Sequence, residues 1–238
     1  MELNGKVALV TGAGRGIGRA VALALAKTGC RVALTARTAA ELAAVEQEAR
    51  RASGEAFFVT ADLTRDGDIA GLMEAVRAKW SAVDILINNA GWGRRAPVVK
   101  SRVEDWDRTL RVNLRAPMLL ARLALPAMIA KGEGAVVNIG SIAGKTGEAN
   151  AAAYAASKFG LIGFTQSLYE EVRESGIKVA VILPGFVDTP LIPSGAPLDR
   201  TKMIRPEDIA ETVLFVLRSS AACCPVEITV RPQRTPYR

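Results

Sequence analysis

The sequence predicts a single doubly wound α/β domain, in which helices cover both faces of a parallel sheet of about seven strands. Its 238 residues fit one α/β domain of roughly 200–250 residues. Short, nearly continuous apolar runs alternate with longer helical patterns along the chain, as is typical of strands buried on both faces of a parallel sheet. Such sheets bind ligands beyond the carboxyl ends of their strands, where the strand order reverses.

Strands and helices are expected to alternate from one end of the chain to the other. The predicted strands are the short runs rich in Val, Ile, Leu and Ala, at 7–10, 32–34, 56–59, 83–87, 135–139, 179–183 and 226–230. The predicted helices are the longer stretches that follow them, at 17–27, 39–52, 69–79, 102–130, 154–174 and 206–217. The stretch at 190–205 has no helical pattern and is expected to be a loop.

The chain contains no histidine, which excludes several common classes of enzyme. Ser-His-Asp hydrolases and Cys-His proteases need an imidazole base, while zinc proteases and two-histidine iron sites need imidazole ligands. Acid–base chemistry therefore falls to Tyr, Lys, Asp, Glu or Cys, and no metal is expected. The three cysteines, two of them adjacent, are a poor framework for disulfides and predict thiols in a reducing cytoplasm.

The net charge of +7 comes from basic residues scattered among 24 acidic ones. Because no nucleic-acid-binding motif occurs, a nucleic-acid partner is not expected, and a basic surface that favours anionic substrates or cofactors is the preferred interpretation. The sequence shows neither a signal peptide nor an uninterrupted apolar run approaching the roughly 18 residues of a membrane span. We therefore expect a cytoplasmic protein without a membrane partner.

A glycine-rich turn, Thr-Gly-Ala-Gly-Arg-Gly-Ile-Gly at 11–18, lies between the first predicted strand and the first helix. Glycines at this place allow a tight turn and let the backbone approach a pyrophosphate. The N–H groups and the positive dipole at the N-terminus of the following helix would meet the charge of that pyrophosphate. The turn therefore indicates a dinucleotide site.

The spacing TGxxxGxG resembles that of the short-chain dehydrogenase/reductase family. The resemblance also rests on Asn-Asn-Ala-Gly at 88–91 and on Tyr154-x-x-x-Lys158, with Ser141 thirteen residues before the tyrosine. It covers essentially all of residues 1–238 and implies one Rossmann-type domain that binds a nicotinamide dinucleotide. A catalytic set is implied as well, namely Asn113, Ser141, Tyr154 and Lys158.

The resemblance also implies contacts to the dinucleotide. Asp62 would accept a hydrogen bond from the adenine amino group, and Val187 and Thr189 would hold the carboxamide of the nicotinamide. The full set of implied cofactor residues is Gly12, Gly14, Arg15, Gly16, Ile17, Gly18, Arg37, Asp62, Leu63, Asn89, Ala90, Gly91, Tyr154, Lys158, Pro184, Gly185, Val187 and Thr189.

The catalytic roles can be argued from chemistry. Tyr154 and Lys158 are four residues apart, so they share one face of a helix. A tyrosine hydroxyl has a pKa near 10, and a nearby ammonium is expected to lower it, which would make Tyr154 a usable proton donor and acceptor. Ser141, after the fifth strand, can donate a hydrogen bond to the substrate oxygen and stabilise the charge that develops there.

Pro117 predicts a special backbone position in the long central helix. A proline leaves the carbonyl four residues earlier without its helical partner, and that carbonyl belongs to Asn113. We expect a kink that turns this free acceptor toward the site, where a water connects it to Lys158. The alternative is a proline that only bends the helix around the core.

The end of the second strand predicts the cofactor. Enzymes that prefer NAD place an acidic residue there, where it binds the 2′-hydroxyl of the ribose and repels a 2′-phosphate. Ala36 occupies that position here, Arg37 follows it, and Arg15 projects from the glycine-rich turn. Two guanidinium groups near one phosphate favour NADP(H), so NADPH is expected to bind better than NADH.

The sequence says less about the substrate. The short loop at 190–205, with Pro193 and Pro197 opposing a lid helix, predicts an open pocket. Its expected apolar lining is Ile142, Phe186, Leu191 and Ile192, with Trp92 and Arg94 at the mouth. The preferred function is reduction of a ketone or 3-oxoacyl compound, since the sequence resembles 3-oxoacyl-[acyl-carrier-protein] reductase-like members of the family. The alternatives are oxidation of an alcohol, sugar or steroid, and a non-catalytic dinucleotide-binding or nucleic-acid-binding protein. The family resemblance implies a homodimer or homotetramer.

Overall fold

A computed structural model describes residues 1–53, 55–192 and 195–237, and its centre is a seven-stranded sheet. The strands are β1 (Val7–Thr11), β2 (Arg31–Ala36), β3 (Ala56–Thr60), β4 (Ile85–Asn88), β5 (Gly134–Ile139), β6 (Ile177–Pro184) and β7 (Glu227–Val230). They lie in the order β3-β2-β1-β4-β5-β6-β7, and all neighbours are parallel. The predicted doubly wound parallel sheet is confirmed.

The α-helices of the described residues form a layer on each face of the sheet. They are α1 (Gly16–Lys27), α2 (Ala39–Ser53), α3 (Asp66–Trp80), α4 (Val103–Leu110), α5 (Ala116–Lys131), α6 (Ala152–Val172) and α7 (Pro206–Arg218). Side chains of α1, α2 and α7 fill one apolar layer, and those of α3, α5 and α6 fill the other.

The central strands are apolar at nearly every position because both of their faces are covered. In β1, Ala8 and Val10 point into the first layer, whereas Val7 and Leu9 point into the second. Successive side chains of a strand alternate between the two faces, so a strand between two helical layers buries all of them. This packing explains why the apolar runs located the strands.

The long helix predicted at 102–130 is interrupted. Between α4 and α5 the chain forms a π-helical turn, Arg111–Arg115, in which the Ala116 N–H donates to the Arg111 carbonyl five residues earlier. Pro117 lies in the first turn of α5 and has no N–H to donate to the Asn113 carbonyl. The irregularity expected at Pro117 is therefore present, as a widened turn of the kind often found at functional sites.

The whole helical run from Val103 to Lys131 is long and apolar enough to cross a membrane by length and composition alone, although charged residues interrupt it. In the fold, however, α5 packs on β4 and β5 and beside α3, while α4 packs against α6. The buried apolar side chains of α5 therefore belong to the second core layer. The loop at 190–205 contains one 3₁₀ turn, Arg200–Lys202, and Pro193 lies outside the described residues.

Candidate active site

A cleft of about 850 Å³ runs along the carboxyl ends of the strands, a volume within the usual range for small-molecule sites. It lies where the strand order reverses, between β1 and β4, as expected for this type of sheet. All of the predicted catalytic and cofactor residues line the cleft except Gly18 and Asn113, which are buried. The six residues predicted for the substrate pocket and its mouth line it as well.

The glycine-rich turn is shaped by contacts that exclude side chains. Gly12 and Gly16 have φ angles of +63° and +56°, a conformation that strongly favours glycine. A Cβ at Gly18 would collide with the Gly12 carbonyl oxygen, so α1 can approach the turn only if this position has no side chain. The backbone of the turn thus remains open to the cleft, a shape that fits a pyrophosphate at a helix N-terminus.

Hydrogen bonds fix the turn to the end of β4. The Thr11 hydroxyl accepts from the N–H groups of Asn89, at 2.9 Å, and Ala90, at 3.0 Å, and it donates to the Ile87 carbonyl at 3.3 Å. In return, the Asn89 side-chain amide donates to the carbonyls of Thr11, at 2.9 Å, and Gly12, at 3.3 Å. Asn89 therefore holds two neighbouring strand ends at a fixed separation.

The two arginines expected at the nucleotide phosphate share their surroundings with an acid that the sequence analysis missed. Arg15 and Arg37 both line the cleft, but Arg15 forms an ion pair at 3.5 Å with Glu41 of α2. A Cβ at Gly14 would lie 2.8 Å from a Glu41 carboxylate oxygen, so this carboxylate covers the turn. An acid in the first turn of a helix is ordinary, and nothing in the sequence singled it out.

Asp62 lies in the cleft after β3. One of its carboxylate oxygens accepts from the N–H and the hydroxyl of Thr64, at 3.0 and 2.9 Å. Burial opposes ionisation of Asp62, but these two bonds and the charges of Arg37 and Arg65 hold the pKa of its carboxyl below the usual value. The side chain is therefore a carboxylate at neutral pH and can accept further hydrogen bonds.

Ser141 and Tyr154 are brought together from β5 and α6. The Ser141 hydroxyl interacts with Tyr154 and lowers the pKa of the phenol, and the Ser141 oxygen accepts from the Ala143 N–H at 3.1 Å. The loop after β4 covers the phenol ring so closely that a Cβ at Gly93 would lie 2.7 Å from a ring carbon of Tyr154. Both hydroxyl-bearing side chains therefore line the same cleft.

Lys158 is buried beneath the tyrosine. Its side chain is 4% exposed, and its ammonium donates to the Ile139 carbonyl at 2.8 Å and lies 5.8 Å from the centre of the Tyr154 ring. Burial penalises the charged form and lowers the pKa of Lys158 to about 8. The side chain is thus poised to gain or lose a proton near neutral pH.

The prediction that Lys158 lowers the pKa of Tyr154 is wrong for the protein alone. Burial raises the pKa of Tyr154 above its ordinary value, Glu148 adds to this rise, and the Ser141 hydrogen bond and the charge of Arg95 only partly oppose it. Desolvation of the phenolate therefore outweighs the favourable interactions around the ring. At neutral pH Tyr154 keeps its proton.

The Asn113 side chain connects two segments of the fold. Its amide oxygen accepts from the Trp92 N–H, and its amide nitrogen donates to the Trp92 carbonyl, both at 2.8 Å. The same nitrogen donates to the Ser157 hydroxyl at 3.0 Å. Asn113 therefore clamps the loop after β4 to α6, a role that the argument from Pro117 did not include.

Comparison with known proteins agrees with this geometry. A family model for short chain dehydrogenases matches residues 6–196. The chain belongs to the short-chain dehydrogenase family. An uncharacterized oxidoreductase of Staphylococcus aureus strain MRSA252 is 35% identical over 230 residues, which are 97% of this chain and 98% of that protein. One from Staphylococcus saprophyticus is 36% identical over 236 residues, 98% of this chain and 99% of the other.

A solved structure is also similar. It is the crystal structure of a metagenomic short-chain oxidoreductase in complex with NADP, 39% identical in sequence, with a TM-score of 0.87. The match covers 99% of this chain and 100% of that one. The Rossmann-like fold of the family is therefore shared along essentially the entire length of the present short-chain dehydrogenase.

Charged residues that the sequence analysis did not select surround the mouth of the cleft in this short-chain dehydrogenase. Arg95 forms an ion pair at 2.5 Å with Glu148, and both influence Tyr154. The Arg108 guanidinium stacks over the Trp92 ring at 4.7 Å from its centre. None of the three lies in a recognisable motif, although Arg95 follows the arginine that we had placed at the mouth.

The buried charge of Lys158 should reduce the stability of the fold. The pKa of Lys158 is lowered from 10.5 to about 8, so keeping the ammonium charged costs the folded state roughly 3 kcal/mol of stability. The folded state binds fewer protons than the unfolded chain between these two values, so the cost is full below pH 8 and disappears as the pH rises toward 10.5. Lys158→Met should therefore raise the free energy of unfolding by roughly 1–3 kcal/mol at pH 7 and by much less at pH 10.

Urea denaturation at the two pH values measures this difference. Lys27→Met, at an exposed position of α1, is the matched control and should give a small change that does not depend on pH. An equal destabilisation by Lys158→Met at both pH values would contradict the argument.

Proposed function

We propose that this protein is an NADP(H)-dependent oxidoreductase that interconverts a carbonyl compound and a secondary alcohol, preferentially as a reductase of a ketone or 3-oxoacyl compound. The observation that carries the proposal is the grouping of Ser141, Tyr154 and Lys158 in the same cleft as the open glycine-rich turn. The solved relative in complex with NADP supports the choice of cofactor.

The residues of the cleft fit a nicotinamide dinucleotide. The glycine-rich turn would hold the pyrophosphate, Asp62 the adenine, and Arg15 and Arg37 the 2′-phosphate. A Cβ at Gly91 would project between Asn113 and Lys158, 3.7 Å from the amide oxygen and 4.0 Å from the ammonium, so glycine keeps this part of the cleft open. The bound nucleotide supplies the hydride in reduction and accepts it in oxidation.

Ser141 and Tyr154 would handle the substrate oxygen. Both hydroxyls can donate hydrogen bonds to a carbonyl oxygen, which stabilises the negative charge that develops there, and Tyr154 then transfers its proton to that oxygen. Because the pKa of Tyr154 is raised, the phenol holds this proton at neutral pH and can donate it. Oxidation of an alcohol remains the reverse use of the same groups.

Lys158 would act on Tyr154 rather than on the substrate. Its ammonium lies beneath the Tyr154 ring and is fixed by the Ile139 carbonyl, so it can stabilise the phenolate left after proton transfer. We propose that a water bound to the Asn113 main-chain carbonyl connects Lys158 to solvent and restores the proton. The π-helical turn around Asn113 supports this part of the proposal.

We also propose that the protein is a homo-oligomer. Apolar side chains remain exposed on α4, α5 and α6, including Leu110, Met118, Ile129 and Phe159, which are 39–47% exposed. Contact between copies of the chain would remove them from water.

Tyr154→Phe tests the proton donor. It removes only the hydroxyl, so NADPH-dependent reduction of a ketone should fall at least about 100-fold in kcat, while the Kd for NADPH changes less than about threefold. Tyr169→Phe, on the same helix, is the matched control and should retain activity. A Tyr154→Phe enzyme as active as the wild type would refute the mechanism.

The pH dependence tests Lys158. Its pKa is about 8 and that of Tyr154 is raised above 10, so kcat/KM for reduction should be constant below pH 8 and fall above it as the ammonium loses its proton. In Lys158→Arg the guanidinium stays charged, so the break near pH 8 should vanish even though the rate is lower. Its survival in that variant would assign the break to another group.

Substitution of Glu41 tests the proposed site of the 2′-phosphate. Glu41→Gln removes a negative charge beside the place proposed for the 2′-phosphate, so it should tighten NADPH binding about three- to tenfold and leave NADH binding unchanged. Arg37→Ala should have the opposite effect. Fluorescence titration measures both dissociation constants, and Glu46→Gln, paired with Arg50 on the same helix, serves as the control. An unaltered ratio of NADPH to NADH affinity in both Glu41→Gln and Arg37→Ala would exclude this phosphate site.

A further inference from the structure

We infer that the C-terminal tail of this chain, residues 231–237, forms a wall of the substrate pocket, and that Tyr237 selects carbonyl compounds carrying an apolar, aromatic group. The inference rests on the proposed function and extends it to the class of substrate. It comes from the path of the tail beyond β7 and from the position of its last described side chain.

The tail is attached to the fold on both sides of the pocket. At its start, the Gly185 N–H donates to the Val230 carbonyl at 2.8 Å, and a Cβ at Gly185 would lie 3.0 Å from Pro232. Near its end, Tyr237 forms an antiparallel bridge with Leu198. The tail thus crosses from the end of β6 to the loop at 190–205.

A second contact strengthens the attachment near the end of the tail. The Asp199 N–H donates to the Pro236 carbonyl at 2.7 Å, and Pro236 is buried. Here a backbone bridge, a hydrogen bond and a buried proline fix the residue that precedes Tyr237.

Tyr237 meets an aromatic side chain of the pocket. Its ring packs edge to face on Phe186, with 5.4 Å between the ring centres and an interplanar angle of 81°, a favourable arrangement for aromatic pairs. Phe186 is itself held in place, because its carbonyl accepts from the Ile204 N–H at 2.9 Å. Both rings line the same cleft as Ser141 and Tyr154.

The pair leaves apolar surface available to a ligand. Tyr237 is 61% exposed, and Leu191, also on the cleft wall, is 61% exposed. A substrate whose carbonyl lies at Ser141 and Tyr154 could place an attached ring against these side chains. Burial of their exposed surface would then favour aromatic over small aliphatic substrates.

The first test compares substrate preference. The kcat/KM for NADPH-dependent reduction is measured with an aryl methyl ketone and with butane-2,3-dione, which has no ring to reach Tyr237. In Tyr237→Ala the ratio of the two values should fall at least tenfold, chiefly through the KM of the aryl ketone, while the Kd for NADPH stays within twofold. Tyr237→Phe keeps the ring and should rescue the ratio. Gln233→Ala, at an exposed tail position outside the cleft, is the control.

The second test needs no turnover and so separates this inference from the proposed function. Calorimetric titration with N-methylbenzamide, a non-reducible analogue of the aryl ketone, is performed with and without NADPH. Tyr237→Ala should bind it at least tenfold more weakly than the wild type and Tyr237→Phe. Equal affinity in wild type and Tyr237→Ala, or no binding by either, would overturn the inference. A wild type that binds the amide but reduces no ketone would instead refute the proposed function.

Discussion

The hydrogen bonds between the ends of β1 and β4 are the constraint on which the cleft depends. The sheet reverses its strand order at this junction, so the connections leave it in opposite directions and a gap opens between them. Thr11 and Asn89 hold the two strand ends together from both sides, and the absence of a side chain at Gly18 lets α1 reach the turn. The glycine-rich turn and the loop after β4 thereby acquire fixed positions on opposite sides of one space.

The loop after β4 connects this junction to the catalytic residues. Asn113 binds both backbone groups of Trp92 and also the Ser157 hydroxyl, so it joins the loop to α6. The resulting burial has opposite consequences for stability and chemistry. Burial lowers the pKa of Lys158, so its ammonium destabilises the folded state. Burial also raises the pKa of Tyr154, so the phenol keeps the proton that it must donate to a substrate.

The sequence predicted the sheet well because its central strands are buried on both faces and are apolar at nearly every position. It also predicted many of the residues that line the cleft, since those of the glycine-rich turn and of Tyr154-x-x-x-Lys158 occur at fixed spacing beside predicted elements. It did not predict Glu41 or Tyr237, because an acid in a first helical turn and a tyrosine near a chain end have no local signature. It also misjudged the pKa of Tyr154, since the extent of burial is set by a loop more than 60 residues away in the chain.

By itself, then, the sequence determined the order of the strands and helices along the chain, the position of the open glycine-rich turn and the chemical groups available for proton transfer. Local patterns carry this information, because periodicity, turn residues and the absence of histidine can be read without knowing which parts meet. Only the tertiary structure decided that the Glu41 carboxylate covers the glycine-rich turn and that Lys158 is deeply buried. It also decided that the C-terminal tail packs against Phe186. Each of these depends on contacts between distant segments, and electrostatic energies are set by the distances and burial that such contacts create.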